Sequence, residues 1–299
     1  MNHNKVFSPK YISNEIFARY IEDYFNNLKM APAFGDKNYF DLYLKGFKMP
    51  KTYIHCINGV FLNENYEIID KQTAIEILMK YHSFVMKSTI STSMGEGVKI
   101  IDNITKEKLI DLITNLDGEN YIFQEKITQS KLLSVFNEST VNIIRIFTYM
   151  IDDKVYTSSC KLRVGDNKSS VLGENVINFF VEEDGKISKD GFYSNGIFYD
   201  DLLYKYVGSE VYISQIEKIK QLVTSAAQKI PHYKLIGWDI TIDEFEEPVI
   251  IEYNITSLAP DFLQLNGEPF FKENTDEVLN RVFTKTKKRK IGLNSDQYI

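Results

Sequence analysis

An α+β fold built on antiparallel hairpins is what this sequence predicts, and three observations carry that expectation. Gly237 to Asn254, GWDITIDEFEEPVIIEYN, reads as two strands of period two with a charged turn between them. TVNIIRIFTYM and KVYTSSCKLRVG flank the turn IDD as a second, longer hairpin. Between such strands lie short helical stretches, two of them behind an N-cap residue, Ser13 and Asp36. A chain of 299 residues, 43% hydrophobic and 25% charged, can bury a real core and is long enough for two or three lobes.

Taken in order, three segments emerge: 1–84, 85–127 and 128–299. In the first, Ser13 caps a helix through about Asn26, with Ile16, Phe17, Tyr20, Ile21 and Tyr24 on one face. Asp36 caps a shorter helix ending near Gly46, which places Lys37 in a first turn where the helix dipole disfavours a cation. Such a lysine is either solvated or kept to meet an anion. A strand over Thr52–Ile57 and a helix over Thr73–Tyr81 follow.

The second segment carries the strand SFVMK, the loop STISTSMGEG (88–97), the return strand VKIID, a helix over Lys106–Leu116 and a strand over Tyr121–Lys126. A loop rich in Ser, Thr and Gly can wrap phosphate oxygens with backbone N–H groups and hydroxyls, and Lys87 stands at its entrance. It is neither a Walker A loop nor a dinucleotide fingerprint, because no Gly-Lys-Ser/Thr and no third glycine follow. A plain flexible hairpin is the other reading.

In the third segment, Arg145 sits inside an apolar strand, where a buried guanidinium demands a partner. Lys161 and Arg163 share a parity with Thr157 and Ser159 on the return strand, so one face of this sheet is expected to be cationic. The length of the turn decides whether Arg145 joins them. A strand over Val176–Val181, a turn at Asp184-Gly185, a helix over Val211–Ile230 and a helix over Thr275–Phe283 complete the segment, and the tail TKTKKRK reads as a solvated basic end.

The hairpin 237–254 concentrates the chemistry. With DEFEEP as its turn, Ile240 pairs with Ile251 and Asp239 faces Glu252. Facing carboxylates destabilise a ladder unless positive charge lies between them, and neither strand offers Lys or Arg on that face. Asn254 adds a third oxygen, a donor set suited to Mg²⁺; the alternative is a solvated edge hairpin.

Composition narrows the field. A net charge of −6 argues against nucleic acid as the main partner. Cys56 and Cys160 have neither paired spacing nor a nearby His to suggest zinc, and look like reduced cysteines of a cytoplasmic protein. The N-terminus lacks the apolar core of a signal peptide and no stretch approaches 18 apolar residues, so a protein without a membrane span is expected.

The segments YISNEIF, GDKNYF, FVMKSTISTSMGEGVKII, YIFQEKITQ, STVNIIRIFTYM, KLRVG, LIGWDITI and VIIEYNI, in this order, resemble the ATP-grasp superfamily, and within it the sugar-transfer-associated ATP-grasp proteins. The resemblance implies an ATP-grasp fold, two α+β lobes clamping ATP. Segment 1–84 would be a short N-terminal lobe, 85–127 a small lobe with the phosphate-binding loop, and 128–299 a large lobe with the metal site.

It also implies roles. Lys37, Lys87 and the loop residues Ser93, Gly95 and Gly97 would bind ATP phosphates. Gln124, Glu125, Lys126 and Ile127 would form the linker strand beside adenine. Lys87, Arg145 and Arg163 would act catalytically, the arginines on the γ-phosphate or an acyl phosphate, and Asp239, Glu252 and Asn254 would hold Mg²⁺. The implied activity is an ATP-dependent carboxylate–amine ligase working through an acyl phosphate, with a uronic acid sugar and an amino acid as small-molecule partners in polysaccharide biosynthesis. A kinase acting on a hydroxyl, or a nucleotide-binding protein without turnover, would use the same ATP site. One departure stands out: where relatives carry an Asp-Asn segment and a glycine pair, this chain has GENVINFFVEEDG, with Glu174, Asn175 and Phe179-Phe180.

Overall fold

Strand pairing sorts the chain into two antiparallel sheets in the computed structural model, which describes residues 8–90, 97–116, 118, 120–165, 176–193, 196–265 and 268–290. The first sheet contains β1 (Thr52–Ile57), β2 (Val60–Asn63), β3 (Ile68–Ile69), β4 (Ser83–Ser88), β5 (Val98–Asp102) and β6 (Tyr121–Gln124), in the order β3-β2-β1-β6-β4-β5. Segments 1–84 and 85–127 therefore contribute strands to one sheet. Helices Lys71–Leu78 and Lys106–Thr114, capped by Asp70 and Thr105, pack on one of its faces through Ala74, Ile75, Leu78, Leu109 and Ile113.

The second sheet runs β11-β10-β9-β8-β7-β12-β13. Its strands are β7 (Ile143–Ile151), β8 (Lys154–Val164), β9 (Ile177–Val181), β10 (Ile187–Tyr193), β11 (Phe198–Tyr199), β12 (Leu235–Ile242) and β13 (Pro248–Asn254). The β9–β10 turn holds Gly185 at φ +89°, and a Cβ there would lie 2.3 Å from the Ile213 carbonyl oxygen, so both conformation and space require glycine. Helix Ile216–Ala227 covers one face with the stripe Ile216, Ile219, Val223, Ala226 and Ala227, packed on Ile144, Ile146, Leu162, Phe179 and Trp238. The opposite face is divided. Toward one end, Phe147, Tyr149, Ile151 and Leu235 pack with Phe17, Ile21, Phe25, Phe270, Phe271 and Val278. Toward the other end the apolar residues give way to charge.

Several boundaries differ from the sequence expectation, for local reasons. Ser13 does cap the N-terminal helix, its hydroxyl accepting from Ile16 N, but a π turn over Phe17–Ile21 adds a residue to the turn. The buried set becomes Phe17, Ile21 and Phe25, and Ile16 is left exposed. The Asp36-capped element is a 3₁₀ turn, Lys37–Tyr39, followed by helix Phe40–Tyr43, stopping short of Gly46. Helix Ile216–Ala227 starts later than Val211, because Tyr212 bridges to Lys186 in extended form. The last helix continues beyond Phe283, over Thr275–Lys290.

Two β-bulges correct the expected pairing. On β13 an extra residue makes Ile240 pair with Ile250 rather than Ile251, while Asp239 still faces Glu252. On β8 the register steps from Ile146↔Cys160 to Thr148↔Thr157, so Thr157 lies on the helix-covered face, opposite to Lys161 and Arg163.

Candidate active site

Five strands of the second sheet put one row of side chains on its open face. Register pairs Glu252 with Asp239, Asp239 with Arg145, Arg145 with Lys161, and Lys161 with Phe180. One row along, Arg163 lies between Ile143 and Asn178. Arg145 thus joins the cationic face, which the sequence left open. It also has the partner a buried guanidinium demands: its Nε and Nη2 donate to the two carboxylate oxygens of Asp239, the latter at 2.7 Å. Arg163 Nη1 approaches the same carboxylate at 3.9 Å.

The two facing carboxylates have diverged. Burial alone would push the Asp239 carboxyl up, but Arg145 and Arg163 outweigh it and hold it below the usual carboxylate range. Glu252 is pushed up, first by burial and then by Asp239 opposite, with Lys37, Lys87 and Arg145 offsetting part of the rise. Like charges across a ladder have separated into one firmly ionised group and one reluctant one.

The first sheet supplies the remaining cations. Lys37 reaches from its 3₁₀ turn to bring Nζ within 3.8 Å of Glu252 Oε2. Lys87, near the end of β4, is pulled below the ordinary lysine range by burial and by Lys37, against the attraction of Glu252 and Asp239. The lysine in an unfavourable first turn is therefore a lysine facing an acidic group on the other sheet. Four basic side chains, Lys37, Lys87, Arg145 and Arg163, stand around two carboxylates, an excess of positive groups at this end of the sheet.

Other expected residues lie elsewhere. Gln124 is buried at the end of β6, its amide donating to Thr52 Oγ1 at 3.3 Å. Glu125 N donates to Lys51 O at 2.8 Å, Lys126 Nζ pairs with Asp102 at 2.9 Å, and half-buried Ile127 follows on the path between the sheets. Among the described residues, no ion pair joins these four to Asp239 or Glu252. Gly97 closes the β4–β5 hairpin, its carbonyl accepting from Ser88 N at 3.2 Å. Ser93, Gly95, Glu174 and Asn175 lie outside the described residues. A cavity of about 420 Å³ lined by Tyr149, Tyr156, Glu183, Lys220 and Lys272 is not part of this site, and its lysines pair with Glu183.

Magnesium fits the donor set. Among the described residues no group of three His, Cys, Asp or Glu side chains is placed to hold a metal. The candidate set is two carboxylates and the Asn254 amide, which shares their face through its pairing with Gly237. Oxygen donors with incomplete protein coordination are what Mg²⁺ takes when phosphate oxygens and water complete its shell. One feature points the same way: Glu252 carries repulsion from Asp239 that Lys37, Lys87 and Arg145 offset only in part.

Two buried polar residues, Asn38 and His55, were not singled out by the sequence as functional, whereas Lys161 belongs to the face the sequence expected to be cationic. Lys161 is 8% exposed on the site face, with Nζ 6.0 Å from the Phe192 ring centre. Asn38, beside Lys37, and His55, inside the apolar strand TYIHCI, are both fully buried. A lone histidine amid strand-forming apolar residues was the available signal.

Comparison with solved structures finds the same fold at low identity. The D-alanine-D-alanine ligase of Coxiella burnetii aligns with 90% of this chain and 63% of its own, at 10% identity and TM-score 0.51. The biotin carboxylase domain of Hydrogenobacter thermophilus 2-oxoglutarate carboxylase, solved with MgADP, ADP and bicarbonate, aligns over 82% of this chain and 46% of its own, at 17% identity and TM-score 0.50. The chain spans 45% of the length of a carboxyaminoimidazole ribonucleotide synthase and 64% of that of the ligase PsnB, two other solved structures it matches. A comparison with curated protein sequences returns no match. The family model described as sugar-transfer associated ATP-grasp matches residues 16–278, and the chain belongs to that family.

Proposed function

We infer that this chain is an ATP-dependent carboxylate–amine ligase that forms an amide through an acyl phosphate, acting on a sugar carboxylate and an amine such as an amino acid in polysaccharide biosynthesis. The observation that carries the inference is the convergence of Lys37 and Lys87 from one sheet with Arg145 and Arg163 from the other on the Asp239–Glu252 pair. The fold is shared with a D-alanine-D-alanine ligase and with a biotin carboxylase domain solved with bicarbonate. Family membership supports the ATP site, and the family's description supports a sugar-linked acceptor. No described helix is long and apolar enough to cross a membrane, which is compatible with a cytoplasmic setting.

In this reading the polyphosphate enters between the sheets, where four side-chain cations meet it. Lys37 and Lys87 bind phosphate oxygens from the first sheet. Arg145, oriented by Asp239, and Arg163 aim their N–H donors at the transferring phosphoryl group and at the carboxylate that attacks it. Positioning and charge neutralisation supply most of the rate, because phosphoryl transfer needs little covalent help from the protein. Asp239, Glu252 and Asn254 would hold Mg²⁺, which neutralises charge on the phosphate oxygens when bound. The loop following Lys87 would exclude water that hydrolyses an acyl phosphate.

Hydroxylamine trapping tests this. Mg·ATP is incubated with a panel of uronic-acid and amino-acid carboxylates, and hydroxamates are read by mass. A hydroxamate that forms with wild type and is lost with Glu252→Gln is the expected result. ADP with a phosphorylated hydroxyl and no hydroxamate would replace the ligase with a kinase.

A further inference from the structure

Behind Lys37 lies a buried polar network that the ligase chemistry does not use directly. Asn38 is fully buried, and each of its amide protons has an acceptor: Cys56 O on β1 at 3.3 Å and Thr89 Oγ1 at 3.1 Å. Those two bonds fix the amide orientation, because a flipped amide would set its oxygen against the Cys56 carbonyl. The Asn38 oxygen must then accept, and the group facing it is His55 Nδ1 at 3.2 Å. Because that oxygen accepts, the imidazole proton of the fully buried His55 is assigned to Nδ1. Burial holds the ring below the ordinary histidine range, against the pull of the Asp41 and Asp36 carboxylates, and keeps it neutral. Nε2 meets no hydrogen-bond partner among the described residues; the nearest charge is Asp41 Oδ2 at 3.6 Å. Tyr66 stacks on the imidazole at 4.3 Å between ring centres, and its hydroxyl reaches Asn38 O at 2.6 Å and also touches Asp41.

The network is wired to the site at two points. Asn38 follows Lys37 in the chain, and Lys37 N donates to Thr89 O at 3.3 Å. Thr89, itself buried, is the second residue after Lys87 and the second of the Ser/Thr/Gly segment 88–97. The sheet adds a third link: register sets His55 beside Ile122 and Ile122 beside Lys87, so imidazole and lysine share one face. A fixed donor on β1 therefore holds the amide that ties the Lys37 turn to the Lys87 strand.

We propose that His55 and Asn38 are positioning residues that set Lys37 against the phosphates of the bound nucleotide. The proposal rests on the ATP site inferred above. It separates two tasks: Lys37 meets the nucleotide, and the buried pair decides where Lys37 stands. A lysine carries much rotamer freedom, so the backbone turn that carries it has to be held from behind.

Nucleotide titration calorimetry with Mg·ATP and AMP tests the proposal on the folded full chain, without needing the acceptor substrate. His55→Leu removes the Nδ1 donor and is expected to weaken Mg·ATP about tenfold, the scale of losing support behind a binding group, with AMP binding unchanged. His55→Asn, whose amide can place a donor near the same point, is expected to stay within about twofold of wild type. In a Lys37→Met background His55→Leu should cost almost nothing further, because the two act through one group. Thr89→Val, which removes the hydroxyl accepting from Asn38, is the independent variant if His55→Leu does not fold, and it should behave the same way. Additive effects of His55→Leu and Lys37→Met, or equal weakening of AMP and Mg·ATP, overturn the positioning role. Absence of Mg·ATP binding in wild type, or no effect of Lys37→Met alone, overturns the ATP-site reading itself.

Discussion

Two isosteric substitutions at facing positions should move stability in opposite directions. Asp239 is 6% exposed and chelates Arg145, which is 18% exposed. Asp239→Asn keeps the shape and one acceptor oxygen but leaves the guanidinium largely buried beside a neutral amide. Breaking a buried pair from one side costs about 3–5 kcal/mol, and the remaining acceptor places this variant at the lower end, about 3 kcal/mol. Glu252→Gln removes a charge that the site resists. At an effective dielectric of about 20 and a cross-strand separation of about 5 Å, the repulsion from Asp239 is about 3 kcal/mol. Lys37, at 3.8 Å, and Lys87 cancel most of it. The net gain expected for Glu252→Gln is therefore small, between zero and about 1 kcal/mol.

Urea unfolding of the protein in EDTA measures both, with pH as the internal control. Glu252 has a raised folded-state pKa, so its protonation favours the fold at low pH and that contribution is lost as pH rises through the folded value. The advantage of Glu252→Gln should accordingly be present near neutrality and vanish in acid. Asp239 has a depressed folded pKa, so the stability it contributes is present above the unfolded carboxylate value and is lost as pH falls through the folded one. The deficit of Asp239→Asn should shrink on acidification. Destabilisation by Glu252→Gln of the same size as Asp239→Asn would refute the division of roles between the two carboxylates.

Other outcomes follow from the same geometry. In the proposed ligase reaction Glu252→Gln should lower turnover by about 10²-fold or more, the scale of a lost transition-state charge contact, measured as hydroxamate formed per unit time. Asn26→Ala should cost about 3 kcal/mol in urea unfolding, because its amide serves Leu235 N, Leu235 O and Ile255 O and each would be left unpaired. Asp243→Asn should cost about 2 kcal/mol near neutrality, since the carboxylate accepts from Phe245 N, Glu247 N and Lys48. Burial opposes ionisation of Asp243 but these donors depress its pKa overall, so the difference from wild type should fade as pH drops below the usual carboxylate range.

How much of this was legible in the sequence depended on range. The facing of Asp239 and Glu252 could be read because one turn and a period of two fix it locally, and the bulge that moves Ile250 opposite Ile240 lies just beyond that pair. Strand Thr52–Ile57 was legible for the same reason: an uninterrupted β-forming run bounded by Pro50 and Asn58. Whether Arg145 joined Lys161 and Arg163 was not, because the β8 bulge changes parity within the hairpin and no residue type announces it. The long-range pairs were silent altogether. Asn38 finds Thr89 across 51 residues and His55 across 17, contacts made by sheet order rather than by any local pattern. Sequence reasoning found the charged groups, whose types suggest chemistry, and missed the neutral ones that hold them.

The asymmetry of the acidic pair also bears on how the two sheets cooperate. Asp239 is committed within its own sheet, both oxygens accepting from Arg145. Glu252 is left with no such arginine and instead faces Lys37 and Lys87 of the other sheet. A divalent cation held by the proposed site would gain most from Glu252, because there it would remove repulsion instead of displacing a well-made ion pair. Lys37 would then be released from Glu252 for phosphate oxygens, and in the proposed reading cation binding and anion binding would reinforce each other. Nucleotide affinity should rise with Mg²⁺ more steeply in wild type than in Glu252→Gln, where that exchange of partners is no longer available.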